Sequence, residues 1–481
     1  METRTVLWIL TFFGFWVNYM LRNNINIAIV AMVKDKISNE TMVNECASVA
    51  NNTFFESLTA ASSKHSAQEV TFDWDEYQQG LVLSSYFWIH WLTEIPGGIL
   101  SHHFGFKKVV GVSNFLTAVG TFLIPFSAKY SFNVLMALRI FQGFVSGTIW
   151  PSFHAMTAKW IPQKERGSFV SSYLGSSVGI AFTYAVSGYI IDAYGWEYVF
   201  YMQGLLGILW SIAWMLLVYD SPSVHPWIST KEKVFILNSL GDTLHEEGKL
   251  PIPWKNILTS RPVWINHIAQ FGTTWGLFAL ITESPSYLKF IHGLDIKSTG
   301  IFSGIPHLTR WIFAYIFGIV TQHQKAVSIG RIRMLATTLC TIGVGMTILI
   351  ISFSGCNVMV AVIMLIVAVT LQGTIPAGPM AKVIDMSPNF SGVVQGISGT
   401  LSVLSGFIGP ILVGNLTQNN QTSVQWQKFF IITAVICSST GALDLIFGTS
   451  KLQPWNSVKP ELSKEQQSTQ AKLLSRKSRR K

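Results

Sequence analysis

The chain has 481 residues, 49% of them hydrophobic and only 12% charged, with a mean hydropathy of +0.39 and a formal net charge of +10. This composition excludes a soluble enzyme and predicts an all-α membrane protein that crosses the bilayer many times. The positive charge is expected to report topology and a basic tail, and it carries no nucleic-acid signal.

Twelve stretches come near or exceed the ~20 apolar residues that a spanning helix requires. In chain order they are 6–33, 78–100, 108–127, 132–158, 168–191, 197–219, 263–286, 299–321, 332–353, 357–380, 391–414 and 427–448. The first is too long for a cleaved signal peptide, and Arg22 interrupts it. A second arginine, Arg139, lies inside the fourth. A cation at bilayer depth costs roughly 3 kcal/mol, so it faces a cavity or a partner and not lipid. One such arginine has a structural reading, pairing with a helix carbonyl or a carboxylate. Two on separate helices point to a site for an anion. At 1.5 Å per residue Arg22 lies ~16 Å, and Arg139 ~10 Å, from the outer ends of their spans. Two guanidinium forks at similar depth can clamp a carboxylate or a phosphate bidentately.

Orientation follows from the basic residues. Lys107, Lys108, Lys159, Lys164, Arg166, Lys231, Lys233, Lys325, Arg331, Arg333 and the tail Arg476–Lys481 fall on one side of the twelve spans. The positive-inside rule therefore puts both termini and the 220–262 segment in the cytoplasm, with the tail against anionic membrane lipid. The opposite loops hold the sequons at Asn39, Asn51, Asn415 and Asn420, the side on which glycosylation occurs. Cys46 and Cys356 also fall outside; a bridge between them would tie the two halves together, and none is expected.

Two echoes recur at an offset of 230 residues. Gln142-Gly143 with Pro151 in span 4 is matched by Gln372-Gly373 with Pro376 in span 10, and Trp196 before span 6 by Trp426 before span 12. The chain thus divides into an N-terminal six-helix half (1–219), a cytoplasmic loop between the halves (220–262), a C-terminal six-helix half (263–450) and a basic tail (451–481). Parallel six-helix repeats around a central cavity are the plan of major facilitator transporters.

Local motifs sharpen this. After span 2, Pro96-Gly97-Gly98 runs through His102 and Gly105 to Lys107-Lys108. It resembles the superfamily's glycine-rich loop between spans 2 and 3, with His102 where an acidic residue is usual. Leu21-Arg22-Asn23-Asn24, Arg139-Ile-Phe-Gln-Gly143, Ser284-Pro285-Ser-Tyr287 and Asp385-Met-Ser-Pro388, with Gln453-Pro454-Trp455, form a set. As a whole the set resembles the anion transporters that include sialin, the vesicular glutamate transporters and the sodium/phosphate cotransporters, among them the insect inorganic phosphate cotransporters.

The resemblance implies that Arg22 and Arg139 bind the substrate anion, and that Gly98, His102, Gly105, Lys107 and Lys108 form a conformational loop. It also exposes departures. Where proton-coupled relatives carry a glutamate this chain has Ser146; where they carry a span 2 histidine it has Leu83; the extra span 7 arginine of the glutamate transporters is Thr273. Coupling is then expected to rest on another carboxylate. Glu283, beside Ser284-Pro285, is the leading coupling candidate and Glu94 the second, while Arg310 lies midway along span 8. His90, His154, His267 and His307 read as packing or interfacial residues.

The sequence holds no metal cluster, nucleophile elbow or phosphate-cradling loop, so no enzyme activity and no cofactor are expected. The expected function is secondary active transport of a small organic or inorganic anion, phosphate-like or carboxylate, by a monomer coupled to sodium. A proton-coupled, sialin-like transporter is the alternative, and a transporter-like sensor a minor one. The expected site is the plasma membrane or a vesicular or endolysosomal membrane.

Overall fold

The computed structural model describes residues 2–34, 71–162, 165, 169–240, 252–323 and 326–456, the side chains of Ile95, His102, Ala158, Leu240, Gln322 and Asn389 excepted. Asn39, Asn51, Cys46 and the tail beyond Asn456 lie outside the described residues.

Every predicted span is helical. The first half runs α1 (Thr3–Met32), α2 (Glu76–Ser85), α3 (His90–Phe104), α4 (Phe106–Tyr130), α5 (Phe132–Ser146), α6 (Ile149–Trp160), α7 (Gly175–Tyr194) and α8 (Trp196–Leu217). Two shorter helices follow, α9 (Thr230–Leu240) and α10 (Trp254–Thr259). The second half runs α11 (Arg261–Phe290), α12 (Ile296–His323), α13 (Ile329–Thr338), α14 (Val344–Ser352), α15 (Val358–Leu371), α16 (Ala381–Met386), α17 (Ser391–Thr417) and α18 (Ser423–Phe447).

Nine spans, among the described residues, are long and apolar enough to cross a membrane by length and composition. The other three are spans 2, 7 and 8, and each has a physical reason to fall short. Span 2 is two helices joined by a turn at Tyr86–Ile89. In α11 and α12 the apolar run is diluted by Asn266, His267, Gln270, Glu283, Ser303, His307 and Arg310. Polar side chains in a spanning helix belong on the face turned from lipid, so the same dilution marks the inward faces of both helices.

The breaks are placed by chemistry. α2 starts where Asp75 accepts from the Gln78 amide at 2.7 Å while the Gln78 side chain accepts from the Asp75 amide at 3.1 Å, a reciprocal cap. Span 4 is interrupted between α5 and α6 just after Gln142-Gly143, and Pro151 sits in the first turn of α6, where a missing N–H is harmless. Span 10 breaks at the echoed place: a 3-10 turn at Gln372–Thr374 and a π turn at Pro376–Met380 separate α15 from α16.

Lys107, Lys159, Lys233 and Arg333 mark the basic end of the bundle. Here Gly105 takes φ +85, a conformation that favours glycine, and turns the chain from α3 into α4. The Asp220 carboxylate accepts from the Lys107 amide at 2.8 Å, and the Lys107 ammonium lies 4.1 Å from the Tyr219 ring centroid. The acid expected at position 102 is thus supplied by the end of span 6. Lys107 of the loop does reach a neighbouring helix end.

At the opposite, far end the two halves meet. α7 packs along α12 and α2 along α17. Lys297 pairs with Asp192 at 2.7 Å, and the Asn419 amide donates to Glu76 at 3.0 Å. Cys340 and Cys437 are free, but Cys356 is disulfide-bonded. The expectation that Cys356 stays unbridged is therefore corrected; a loop cysteine outside the spans has the freedom to reach a partner.

Two predictions follow from packing and from the N-terminus. A Cβ on Gly143 would stand 1.8 Å from the Tyr86 carbonyl oxygen, which is backbone and cannot yield, whereas one on Gly396 meets nothing within 4 Å. Gly143→Ala is expected to cost about 1–3 kcal/mol and lower the thermal midpoint of the purified protein, with Gly396→Ala as the unaffected control.

Glu232 of α9 accepts the Thr3 amide at 2.9 Å and the Arg4 amide at 3.0 Å and pairs with the Arg4 side chain. Burial alone would raise its pKa, but the Arg4 and Thr3 amides and the Arg4 guanidinium overturn that and hold it below the usual 4.5. A depressed carboxylate stabilises above its unfolded pKa, so this tether persists at neutral pH and is lost only as pH falls below the ordinary carboxylate range. Hydrogen exchange at Thr3–Leu7 should accelerate only in that acidic window, and Glu232→Gln should produce the acceleration at pH 7.

Candidate functional site

Arg22 and Arg139 are buried, at 5% and 1% exposure, on α1 and α5. Their neighbours are aromatic. The Arg22 guanidinium carbon lies 4.3 Å from the Phe87 ring centroid, 4.8 Å from Phe278, 5.4 Å from Tyr19 and 5.6 Å from Tyr86. That of Arg139 lies 4.9 Å from Tyr86, so one ring is a wall shared by both cations. Such rings attract a guanidinium through their quadrupoles but do not neutralise it.

Hydrogen bonding is also incomplete. Arg139 donates to the Arg22 carbonyl at 3.3 Å and to Gln142 Oε1 at 3.4 Å, both long. Arg22 Nε and Nη2 and Arg139 Nε are buried with no partner. Among the described residues no carboxylate stands within ion-pair distance of either guanidinium. The structure thus brings together the two arginines that the sequence singled out. Two buried cations that share a wall and lack counter-ions can bind an anion that brings the missing charge.

Gln142 holds the floor, donating to the Thr117 carbonyl at 3.1 Å and to Thr121 Oγ1 at 3.0 Å of α4. Phe278 comes from α11, so the second half also contributes to the enclosure. Phe87 and Phe278 stack edge to face at 5.1 Å, within an apolar cluster that also contains Tyr86 and Val403.

Ser146 belongs to the same neighbourhood. It accepts the Tyr86 hydroxyl, and its Oγ lies 3.2 Å from His90 Nδ1, which is also 3.0 Å from the Gly143 carbonyl. The contact to a carbonyl makes Nδ1 the protonated nitrogen and leaves Nε2 as acceptor. Nε2 lies 3.7 Å from Glu94 Oε1, one turn on. Tyr86, Ser146, His90 and Glu94 therefore form a line from the arginine site to a carboxylate beside Gly399 of α17. His90, read from the sequence as a packing or interfacial residue, packs against the Tyr86 and Phe87 rings and is also a polar link.

Glu283 is buried at 3% exposure on α11, and its Oε1 and the neighbouring Ser284 Oγ have no partner. α11 runs unbroken through Pro285. Proline nevertheless removes the N–H that would serve the Ile281 carbonyl. That carbonyl accepts the Tyr184 hydroxyl of α7, and Tyr184 in turn accepts from Asn26 Nδ2 at 3.1 Å. The carbonyl that Pro285 frees is thus already taken, by the other half. The remaining loop residues, Gly98, Gly105, Lys107 and Lys108, lie at the basic end, apart from the arginine pair. Asn415 is exposed at the far end of α17, its Nδ2 donating to the Ile411 carbonyl at 3.0 Å.

Tyr86, Phe87, Phe278 and Tyr184 were not picked out in the sequence. Aromatic residues in a spanning helix are too common to signal; what distinguishes these is the partner from another helix. The surface clefts beside Tyr287 and Trp426, and beside Leu349 and Asn357, lie at the far end and carry no charged lining.

Comparison with known proteins places this geometry in context. The family model described as the Major Facilitator Superfamily matches residues 11–410. Sialin from Ovis aries is 33% identical over 93% of this chain and 89% of its own. Vesicular glutamate transporter 3 from Danio rerio is 32% identical over 94% of this chain and 74% of its own. A Drosophila ananassae protein named "Putative inorganic phosphate cotransporter" is 32% identical over 92% of each chain. Among solved structures, the inward-open xylose transporter XylE from E. coli covers 97% of this chain and 99% of its own, with a TM-score of 0.64 at 12% identity. A bacterial homolog of the human lysosomal transporter Spinster covers 93% and 97%, with a TM-score of 0.63 at 13% identity.

Proposed function

Because the chain belongs to the Major Facilitator Superfamily and is an integral, multi-pass membrane protein, we propose that it is a secondary transporter of anions working by alternating access. The observation that carries this reading is the pair of buried guanidiniums with unused donors and no counter-ion. The names of the relatives, which include a sialin and a phosphate cotransporter, point the same way. The substrate is a phosphate-like or carboxylate anion. One chain encloses the site, so a monomer suffices.

In this reading the basic end is cytoplasmic by the positive-inside rule. The closed far end then faces the exterior or an organelle lumen, and transport proceeds by rocking of the two halves about the arginine site. The membrane is that of the cell surface or of a vesicular or endolysosomal compartment.

Coupling follows from the electrical cost. An anion entering a negative-inside cell works against ~2.3 kcal/mol per charge per 100 mV, a penalty that an accompanying cation removes. We assign sodium to Glu283, whose Oε1, with Ser284 Oγ, offers unpartnered hard oxygen ligands. One observation favours protons as the second reading: the His90–Glu94 pair is linked through Ser146 to Tyr86, against which both arginines lie.

Arg139→Lys should reduce transport severely, because an ammonium cannot reproduce a planar fork. Arg139→Ala should reduce uptake on the order of a hundredfold, the loss of two charge-assisted hydrogen bonds. Unchanged affinity and rate in proteoliposomes would refute the anion site. With the membrane potential clamped, uptake should follow an imposed sodium gradient and be lost in Glu283→Gln. Acid-driven, sodium-independent uptake that survives Glu283→Gln and disappears in Glu94→Gln would transfer coupling to the proton reading.

A further inference from the structure

α12 carries a stripe of unused polar groups. Ser303, His307 and Arg310 fall at spacings of four and three residues, which places them on one face of a helix. Ser303 Oγ, His307 Nδ1 and Arg310 Nε are buried and have no hydrogen-bond partner. Buried polar atoms are nearly always paired, so three unpaired in a row on one face need a reason.

That face looks toward the first half. The His307 ring lies 6.0 Å from Tyr184 of α7, and Arg310 lies within electrostatic range of the Tyr19 phenol of α1. Tyr19 is also one of the rings against which Arg22 packs. The tyrosine therefore has a cation of the first half on one side and a cation of the second half in range. Among the described residues Arg310, like Arg22 and Arg139, forms no ion pair.

We propose that Arg310 is a third anion-recognising cation, contributed by the second half, and that it selects substrates carrying two or more negative charges. This rests on the anion-site reading of Arg22 and Arg139 and adds the substrate class. Charge and direction of approach set the substrate class. A monocarboxylate has two oxygens on one carbon and can satisfy forks approaching from one side. Arg22 and Arg139 already provide two. A third guanidinium from the opposing half requires acceptor oxygens on the other side of the ligand, as a tetrahedral oxyanion or a dicarboxylate provides. A single negative charge would also leave the other buried cations uncompensated, and an unpaired charge in a low-dielectric interior is strongly unfavourable. Arg310 would in addition give the ligand one anchor on each half, so that binding itself draws the halves together.

The test is uptake by the purified full chain in proteoliposomes, with sulfate and succinate as dianions and lactate and gluconate as monoanions. The wild type should prefer the dianions. Arg310→Gln should lower dianion uptake about tenfold, the loss of one charge-assisted hydrogen bond, and raise monoanion uptake, whose uncompensated cation it removes. Arg310→Lys should fall between. Because the readout is a ratio within one preparation, a general folding defect does not imitate it. An unchanged ratio in Arg310→Gln, a wild-type preference for monoanions, or no wild-type uptake of any of the four would each overturn the proposal. Arg139→Ala run in parallel separates the two readings. If it abolishes uptake of both classes while Arg310→Gln leaves the ratio unchanged, the third cation fails and the anion site stands. If Arg139→Ala has no effect, both fail.

Discussion

Uncompensated positive charge in the membrane interior is the constraint around which this protein is organised. A guanidinium cannot be deprotonated away and cannot face lipid, so Arg22 and Arg139 must be housed. The housing is made of rings: Tyr19, Tyr86 and Phe87 from the first half and Phe278 from the second. Rings hold the cations in place without cancelling them. A carboxylate in the same position would have produced a stable, inert ion pair, of the kind seen between Lys382 and Asp444 near the basic end, where both side chains are buried and paired. The contrast separates the two kinds of buried charge in this chain. Lys382 and Asp444 have found each other, whereas the arginines remain available.

The remainder of the bundle serves this arrangement by fixing where the helices may move. Tight packing at the breaks sets the depth of the turn that carries Tyr86, the ring common to both cations. The two halves are joined at the far end by the Lys297–Asp192 pair and the Asn419–Glu76 bond, and deeper in the bundle by the Tyr184–Ile281 bond. The first two pairs are near water, and such contacts are individually weak. The third is buried and therefore of a different kind.

Much of this was legible in the sequence, and the limit of legibility has a physical basis. Spans are read from composition because the bilayer demands long apolar runs, and the arginines stand out because they violate that demand. The echo of Gln142-Gly143 in Gln372-Gly373 reads as a sign of duplication; in the structure spans 4 and 10 both break just after these residues, since a proline and a glycine act locally. What could not be read were relations between helices. Asp220 replaces an acid expected more than a hundred positions earlier, His90 is engaged by a serine on another helix, and the Ile281 carbonyl is occupied by a tyrosine of the opposite half. Each residue is unremarkable on its own helix, and only the fold gives it a partner. Cys356 failed the reading for the same reason.

The Tyr184–Ile281 bond has a consequence for hydration. Pro285 leaves the Ile281 carbonyl without an intrahelical donor, and the Tyr184 hydroxyl fills that place across the boundary between the halves. If the halves separate here, the Ile281 carbonyl loses its donor, while the Tyr184 hydroxyl keeps only the bond it accepts from Asn26. A buried carbonyl left bare costs about 1–3 kcal/mol, and lipid offers nothing to relieve it. Only water can. Parting of this boundary is therefore bound to wetting of the crevice beside Glu283, and a dry crevice acts as its own lock.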